Sequence, residues 1–310
     1  MTKIPPPGAK RFLIVFNPLP NKPRKHLLQR LVLRLKQGGH DWHLCPTDEN
    51  YGANRHYFTN HLHEFTDVIV LGGDGTFNLV VNLVQGSDAR VGLIPAGTGN
   101  DFARAWYGKK RKDVSHILNT VLGDNVECIS LGRVEFADKA CSESGEAVRY
   151  FHNVMGMGFD AALAKSLRHS KGVFQGLGYL AAALKHIPFY REQACRIRYG
   201  ETVLQYDNLI TILANSPFFG NGMHIAPHAD PKSSNLAIVR VEKFPFWTKM
   251  ALIVRLLLGT HLSSTRVHSV TISNDVTIET TGLDLEADGE YLGHSPCTVS
   301  IKEHALLLKR

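Results

Sequence analysis

Along the first third of this chain, short apolar runs alternate with longer stretches of mixed polarity. The runs Arg11–Phe16, Asp41–Pro46, Val68–Leu71 and Val91–Ile94 have the length of buried strands. Lys22–Gln37 carries Leu27, Leu28, Leu31 and Leu35 at helical spacing, with Lys and Arg on the opposite face, and closes at Gly38-Gly39. Ala53–Glu64 and Phe77–Val84 repeat the helical pattern. Strict strand–helix alternation predicts an α/β domain with a parallel, doubly wound sheet covered on both faces. Ligands of such sheets bind beyond the carboxyl ends of the strands, so the loops after Phe16, Leu71 and Ile94 are expected at one crevice.

Near Cys128 the pattern changes. Asn125–Phe136, Ala147–Met155, Ala194–Tyr199, Leu209–Ala214, Leu236–Val241, Ser269–Thr280 and Thr298–Lys302 read as strands with few helices between them. They predict an antiparallel β-sandwich as a second domain, with helical insertions at Ala161–His186 and Phe246–Gly259. The expected division is residues 1–127 and 128–302, with the tail 303–310 returning to the first domain.

Composition narrows this picture only a little. The chain has 310 residues, 44% hydrophobic and 20% charged, which suits two globular domains with sizeable cores. A net charge of +7 favours anionic partners such as nucleotides, nucleic acid or a membrane surface, without choosing among them. Met1–Lys10 is polar and contains Pro5-Pro6-Pro7, which does not read as a secretory signal. No apolar run reaches the roughly 18–20 residues of a spanning helix. Five scattered cysteines without a C-x-x-C pair read as reduced thiols of a cytoplasmic protein. His61 and His63, two apart with no third ligand at a zinc spacing, read as surface residues.

The strongest chemical signal is Val68-Ile-Val-Leu-Gly-Gly-Asp-Gly-Thr-Phe-Asn78, a strand, a tight turn and a helix start. Gly72, Gly73 and Gly75 leave room for a ligand to approach main-chain N–H groups, and the helix start behind them favours an anion such as phosphate. Asp74 repels phosphate, unless it bonds a sugar hydroxyl or reaches a Mg²⁺ ion that screens the charge. The bland alternative makes Asp74 a helix cap. Thr76 and Asn78 complete the turn.

A second glycine turn, Ile94-Pro-Ala-Gly-Thr-Gly-Asn-Asp-Phe-Ala-Arg104, places Thr98 between Gly97 and Gly99. Thr98 offers a hydroxyl and an N–H to a phosphate oxygen. Asn100 and Asp101 cap the next helix or contact a nucleotide, and Arg104 suits bidentate phosphate binding. No G-x-x-x-x-G-K-[ST] is present, so this is not a P-loop.

A third stretch, Leu285-Glu-Ala-Asp-Gly-Glu290, sets Asp288 and Glu290 around Gly289 with Glu286 nearby. Such carboxylates converge as a general base or a metal-linked pair, or simply form an acidic hairpin tip. Gly156-Met-Gly-Phe-Asp-Ala161 imitates a dinucleotide fingerprint but lacks the acidic residue about twenty positions on. Asp160 remains as a polar group beside an apolar cavity or as a helix N-cap. The apolar segments Gly172–Tyr190 and Phe246–Leu258, beside basic residues, suit a lipid tail or membrane interface, or ordinary core packing.

In order, Gly72-Gly-Asp-Gly-Thr76, Gly97-Thr-Gly-Asn-Asp-Phe-Ala-Arg104, Gly158-Phe-Asp160, Gly222 with Ala226-Pro227, and Asp288-Gly-Glu290 followed by Pro296 resemble the diacylglycerol kinase catalytic-domain family. That family includes soluble bacterial lipid kinases and the sphingosine and ceramide kinases. The resemblance spans nearly the whole chain. It implies ATP, with Asn17, Thr47, Gly72–Asn78 and Thr98 around the nucleotide in a cleft between an α/β domain and a β-sandwich. It also implies Asp288 and Glu290 at the reacting hydroxyl, a lipid-substrate second domain, and Mg²⁺ arriving with ATP. Asp160 and Arg104 are candidate substrate contacts.

Two departures stand out. The first loop reads Asn17-Pro18-Leu19-Pro20-Asn21, stiffer than the small residue and glycine usual there. In the Pro227–Asn235 loop, Lys232 and Ser233 stand where the family's acidic cation ligands would be, so Asp230, Ser233 and Asn235 constitute at most a degraded Mg²⁺ site. The expectation is a lipid kinase, cytoplasmic and transiently at the membrane surface, with no nucleic-acid partner and with a homodimer allowed. A kinase for a soluble acceptor and a non-catalytic nucleotide- or lipid-binding protein are the alternatives. The sequence leaves open whether Asp288 or Glu290 is the base and which lipid is phosphorylated.

Overall fold

Each strand predicted in the first third forms; Arg11–Phe16, Asp67–Gly72 and Arg90–Pro95 are largely buried, as covered parallel strands demand, while Asp41–Pro46 is an edge strand that exposes most of its residues. The computed structural model describes residues 10–19, 21–167 and 177–310. These fall into two compact units: the chain up to Ile129 together with His304–Arg310, and Ser130–Glu303.

In the first unit, β1 (Arg11–Phe16), β2 (Asp41–Pro46), β3 (Asp67–Gly72) and β4 (Arg90–Pro95) are parallel, in the order β4-β3-β1-β2. Helices α1 (Lys22–Gln37), α2 (Tyr51–His61), α3 (Asp74–Leu83), α4 (Asp101–Tyr107) and α5 (Val114–Leu122) alternate with the strands or follow them. Asn21 caps α1 by accepting the Arg24 N–H, and Pro23 sits in the first turn, where no N–H is needed. Asp67, Val68, Ile69, Val70 and Leu71 are fully buried, as a central parallel strand demands.

The chain's last strand completes this sheet. Leu307 and Leu308 pair in parallel with Arg90 and Val91 on the outer edge of β4. The buried Lys309 ammonium pairs with Asp67 and donates to the Gly123 carbonyl oxygen at 2.6 Å, while Arg90 reaches the other Asp67 oxygen at 2.7 Å. A buried lysine needs such partners, because an unpaired buried charge is strongly unfavourable.

The second unit is antiparallel. Its elements are β5 (Val126–Phe136, from residue 130), β6 (Val148–Phe151), β7 (Val154–Gly158), α6 (Phe159–Leu167), α7 (Leu177–His186), β8 (Gln193–Tyr199) and β9 (Thr202–Ala214). A small hairpin follows, β10 (Phe218–Phe219) and β11 (Met223–His224). The rest comprises β12 (Leu236–Glu242), α8 (Phe246–Leu257), β13 (Val267–Ile272), β14 (Val276–Ile278), β15 (Asp284–Ala287), β16 (Glu290–His294) and β17 (Cys297–Lys309, to residue 303). The strand path is β16-β15-β7-β9-β8-β14-β17, with β12 joining β9 to β13 and β5 paired with β6. The first half of β9 pairs with β8 and the second half lies between β7 and β12.

Period-two alternation divides the second core. Met155, Met157 and Leu213 face one cluster, with Ile197, Ile278 and Leu285. Val154, Ile212 and Ala214 face another, roofed by helices that supply Phe159, Leu252 and Ile253.

Several element bounds differ from the sequence reading. Ser269–Thr280 is two strands, β13 and β14, which pair with different partners, β12 and β8. Ala147–Met155 is likewise split into β6 and β7. Of the insertion expected over Ala161–His186, helices cover Phe159–Leu167 and Leu177–His186, and residues 168–176 lie outside the described residues. Pro20 of the stiff first loop and the leader residues 1–9 also lie outside them.

Candidate active site

The register of the parallel sheet sets the first half of the site. Phe16 pairs with Pro46 and Leu71, and Leu71 with Ile94, so four strands end at one level. Asn17, Thr47, Gly72 and Pro95 therefore lie along a single carboxyl edge, where parallel sheets bind ligands. Asn17 accepts the Leu19 N–H at 2.9 Å through its side chain and an Arg24 N–H at 2.6 Å through its carbonyl. Thr47 donates its N–H to Phe16 at 2.9 Å.

The two glycine turns are built as one object. Ala96 donates its N–H to the Gly72 carbonyl oxygen at 2.8 Å. A Cβ on Gly97 would stand 2.4 Å from the Gly73 Cα, and one on Gly73 would stand 2.9 Å from the Gly97 Cα. Gly73 has φ −95° and ψ −169°, an extended conformation open to any residue, so close approach is what requires glycine there. A Cβ on Gly72 would collide with the Thr76 side chain. The glycines at 72, 73 and 97 thus make room for protein, where the sequence suggested room for a ligand.

Asp74 joins the same assembly. Its two carboxylate oxygens accept the N–H groups of Asp101 at 3.1 Å and Phe102 at 3.2 Å, at the start of α4. Asn100, in the left-handed region at φ 50°, supplies no cap of its own. Its side chain instead brackets Gly97, accepting that residue's N–H at 2.9 Å and donating to its carbonyl at 2.7 Å. Asp74 is therefore a cap, but of the helix after the other turn. Asn78 is buried and accepts from Asn82.

Thr98, Gly99, Asn100 and Arg104 line a cavity of about 560 Å³ with Arg111 and Lys112, over Leu27, Ile94 and Ile117. This cationic lining fits a phosphorylated ligand, since guanidinium groups match phosphate oxygens in geometry and charge. Arg111 and Lys112 escaped the sequence reading. Their signal was the basic run Lys109-Lys-Arg-Lys112, whose position beside the second glycine turn is not visible from the chain.

In the second unit, Asp288 and Glu290 flank the turn between β15 and β16. Asp288 has φ 52°, a left-handed conformation that Asp tolerates better than most residues with a side chain. Its carboxylate is wholly buried. One oxygen accepts the N–H groups of Asn153 at 2.9 Å and Val154 at 3.2 Å. The other accepts the His152 N–H at 3.0 Å and lies 2.7 Å from His152 Nδ1. These three N–H groups fill most of a carboxylate's roughly four acceptor positions. Glu290 differs, because the residue is exposed at the surface. Desolvation by the protein packed around its carboxyl group raises its pKa; Arg149 and His152 oppose that shift and Asp288 adds to it.

Behind this turn lies a second acid pair. Glu286 is buried, and one of its oxygens accepts the Gly289 N–H at 2.9 Å. Its other oxygen has no hydrogen-bond partner, nor has either oxygen of the buried Asp160. Both residues converge over Gly156, where a Cβ would meet Asp160 Oδ2 and, at 2.8 Å, Glu286 Oε1. Gly156 thus makes room for a carboxyl group, which explains the false dinucleotide fingerprint. Burial pushes the Asp160 pKa up to about 7. Burial first, and then Asp160, raise Glu286 well above the usual carboxylate range. Two such groups side by side disfavour ionisation of both at once.

The candidate cation loop is closed on itself. Asp230 accepts the Lys232 N–H at 3.0 Å, Ser233 donates its hydroxyl to the Asp230 carbonyl at 2.9 Å, and Asn235 donates its N–H to Ser233 Oγ at 3.3 Å. The three residues supply a single carboxylate, a poor fit to Mg²⁺. Among the described residues, no group of three or more His, Cys, Asp or Glu side chains is placed to hold a metal ion. Among them, too, no helix is long and apolar enough to cross a membrane.

Comparison with known proteins agrees with this arrangement. Residues 11–134 match the diacylglycerol kinase catalytic domain, and residues 153–309 match the YegS C-terminal NAD kinase beta sandwich-like domain. The Bacillus subtilis protein YtlR, whose name proposes a lipid kinase, is 32% identical over 78% of this chain and 79% of its own length. A diacylglycerol kinase of Mycobacterium tuberculosis is 27% identical over 90% of this chain and 88% of its own. The solved structure of a proposed diacylglycerol kinase from Bacillus anthracis superposes with a TM-score of 0.74 at 19% identity, covering 97% of both chains. With the α/β domain, the β-sandwich and both domain matches in place, this chain belongs to the diacylglycerol kinase family.

Proposed function

We propose that this protein transfers the γ-phosphoryl group of ATP to a lipid hydroxyl. The acceptor oxygen attacks the γ-phosphorus, the bond to the β-γ bridging oxygen breaks, ADP leaves, and the hydroxyl proton passes to a carboxylate. The observation that carries this reading is the unequal pair at 288 and 290. Asp288 is anchored by backbone N–H groups and His152, whereas Glu290 is exposed at the end of the hairpin, which suits a group that must meet an acceptor hydroxyl and take its proton. We assign proton acceptance to Glu290 and its orientation to Asp288.

On this reading residues 1–127 bind the nucleotide and residues 128–302 the acceptor. The edge formed by Asn17, Thr47, Gly72, Gly73, Gly75, Thr76 and Asn78, with Gly97, Thr98 and Asn100, cradles ATP. Arg104 attracts phosphate. Asp74 holds the two turns in register, and Asp160 faces the acceptor side. Mg²⁺ bound to the triphosphate would supply charge neutralisation. The acceptor's apolar tail brings the protein to the membrane surface from the cytoplasm, in phospholipid biosynthesis.

The test is transfer of label from γ-labelled ATP to a total lipid extract, with the product identified by mass. Labelled lipid from the wild type and none from Glu290→Gln support the reading. Label transfer to water-soluble acceptors alone, or ATP binding without any product, overturns it.

A further inference from the structure

Helix α8 is apolar around most of its circumference, and packing accounts for only half of it. Leu252 and Ile253 are buried in the helix-roofed core. Lys249 also points inward, donating to the Tyr190 carbonyl at 2.7 Å and pairing with Glu192 at 2.8 Å, which ties the helix to the turn that follows α7. The outward stripe is Trp247, Ala251, Val254 and Leu258, at helical spacing and all exposed. Trp247 is 81% exposed, Leu258 71% and Val254 54%.

The stripe continues onto the neighbouring turn. Phe189 is 77% exposed, with its ring edge-on to Phe246 at 5.9 Å; Phe246 in turn meets Trp247 at 5.0 Å. Three clustered aromatic rings and two large aliphatic side chains facing water form a contiguous patch of the kind that marks an interaction surface.

Charge around the patch identifies the partner. The chain from residue 177 to 191, and again from 243 to 274, contains Lys and Arg but not one Asp or Glu. Lys185, Arg191, Lys243, Arg255 and Arg266 are exposed there. Lys243 has one distant acidic neighbour, Asp207 at 3.9 Å. Apolar and aromatic side chains on a short helix, with long cationic side chains at the margin and only Asp207 and the largely buried Glu192 as nearby anions, match the boundary between headgroups and acyl chains of an anionic bilayer. Trp prefers that boundary because its ring is apolar while its N–H stays wet. A helix of 12 residues lies in this plane and does not cross it.

We propose that Phe189, Phe246, Trp247, Val254 and Leu258 form the surface by which the second unit docks on anionic membranes. This deepens the lipid-kinase reading and rests on it for its biological sense, but the binding itself requires no catalysis.

The test uses the full chain without ATP, mixed with vesicles of phosphatidylcholine alone or of phosphatidylcholine with phosphatidylglycerol. Sedimentation with the anionic vesicles is expected, weakened by added salt. A blue shift in tryptophan emission is expected too, and is lost in Trp247→Ser. The double variant Trp247→Ser/Leu258→Ser should bind at least about tenfold more weakly, and Arg255→Gln/Lys243→Gln should bind anionic vesicles several-fold more weakly. Phosphoryl transfer to a short-chain acceptor in solution should be unchanged in both double variants.

Equal partitioning of wild type and Trp247→Ser/Leu258→Ser overturns the proposal. So does a wild-type dimer that these substitutions dissociate, since a second copy would then be the occupant. Vesicle binding by a wild type that phosphorylates no lipid leaves this surface standing and removes the kinase reading. Lipid phosphorylation in mixed micelles without vesicle binding does the reverse.

Discussion

The glycine turns of the first unit and the acid hairpin of the second make opposite use of the chain. At Gly73 and Gly97 two backbones touch, side chains are absent by necessity, and partners lie about two dozen residues apart. At Asp288 a side chain is swallowed whole, and its partners His152, Asn153 and Val154 lie more than 130 residues away. The first region is rigid because nothing larger than hydrogen fits. The second is rigid because the N–H groups of three successive residues hold the buried carboxylate in place. A substitution in the turns should therefore act through crowding, and one in the hairpin through lost hydrogen bonds or altered charge.

Gly97→Ala sharpens that contrast most. Its Cβ would press on backbone at 2.4 Å, where no flexible side chain can yield. Overpacking of this kind destabilises by about 1–3 kcal/mol or more, and both turns should shift together. Chemical denaturation should show the loss, and nucleotide binding should fall with it. A melting temperature equal to wild type would mean that the turns do not depend on each other.

Next come the paired substitutions Asp288→Asn and Glu290→Gln. Asparagine places an NH₂ where an oxygen faces backbone N–H groups and His152, so roughly 2–4 kcal/mol of stability should disappear. Glu290→Gln, at an open position, should change stability by less than about 0.5 kcal/mol while abolishing transfer. If Asp288→Asn were as stable as wild type, the anchoring role would be wrong. If Glu290→Gln kept full turnover, proton acceptance would belong elsewhere.

A third expected effect concerns pH. Asp160 loses its proton near the usual 3.8 when unfolded but near 7 when folded. Stability associated with the protonated form is therefore present at low pH and falls as pH rises from about 4 to 7. Glu286 acts in the same direction, and Asp288 and Tyr190 are the other titratable groups coupled to the pair. Asp160→Asn should flatten this part of the profile by an amount on the order of 1–3 kcal/mol. Its gain over wild type should be larger at pH 8 than at pH 4 in thermal melts. A difference that does not vary with pH would show that the pair does not disfavour ionisation.

Much of the fold was legible beforehand because its determinants are local. Four apolar runs and their helices announce a parallel sheet, and Gly38-Gly39 marks where α1 ends. The split of Ser269–Thr280 was not legible, because both halves are good strand sequence and only their partners, β12 and β8, separate them. At the site, the residue types of both glycine turns and of the hairpin were evident, but some of their work was misjudged. Nothing near Asp74 says that it caps a helix beginning at Asp101, and nothing near Gly156 says that Asp160 and Glu286 meet above it.

The order of apolar and polar residues by itself determined the two kinds of domain, the strand ends that share one carboxyl edge, and the chemical types gathered there. Those properties follow from periodicity and turn stereochemistry, which act over a few residues. Tertiary structure alone decided which carboxylate is sealed and which is open, which glycines serve neighbouring backbone, and that one face of an apolar helix is left to solvent. Burial and hydrogen-bond satisfaction are properties of space, and they are settled only when segments far apart in the chain are brought into contact.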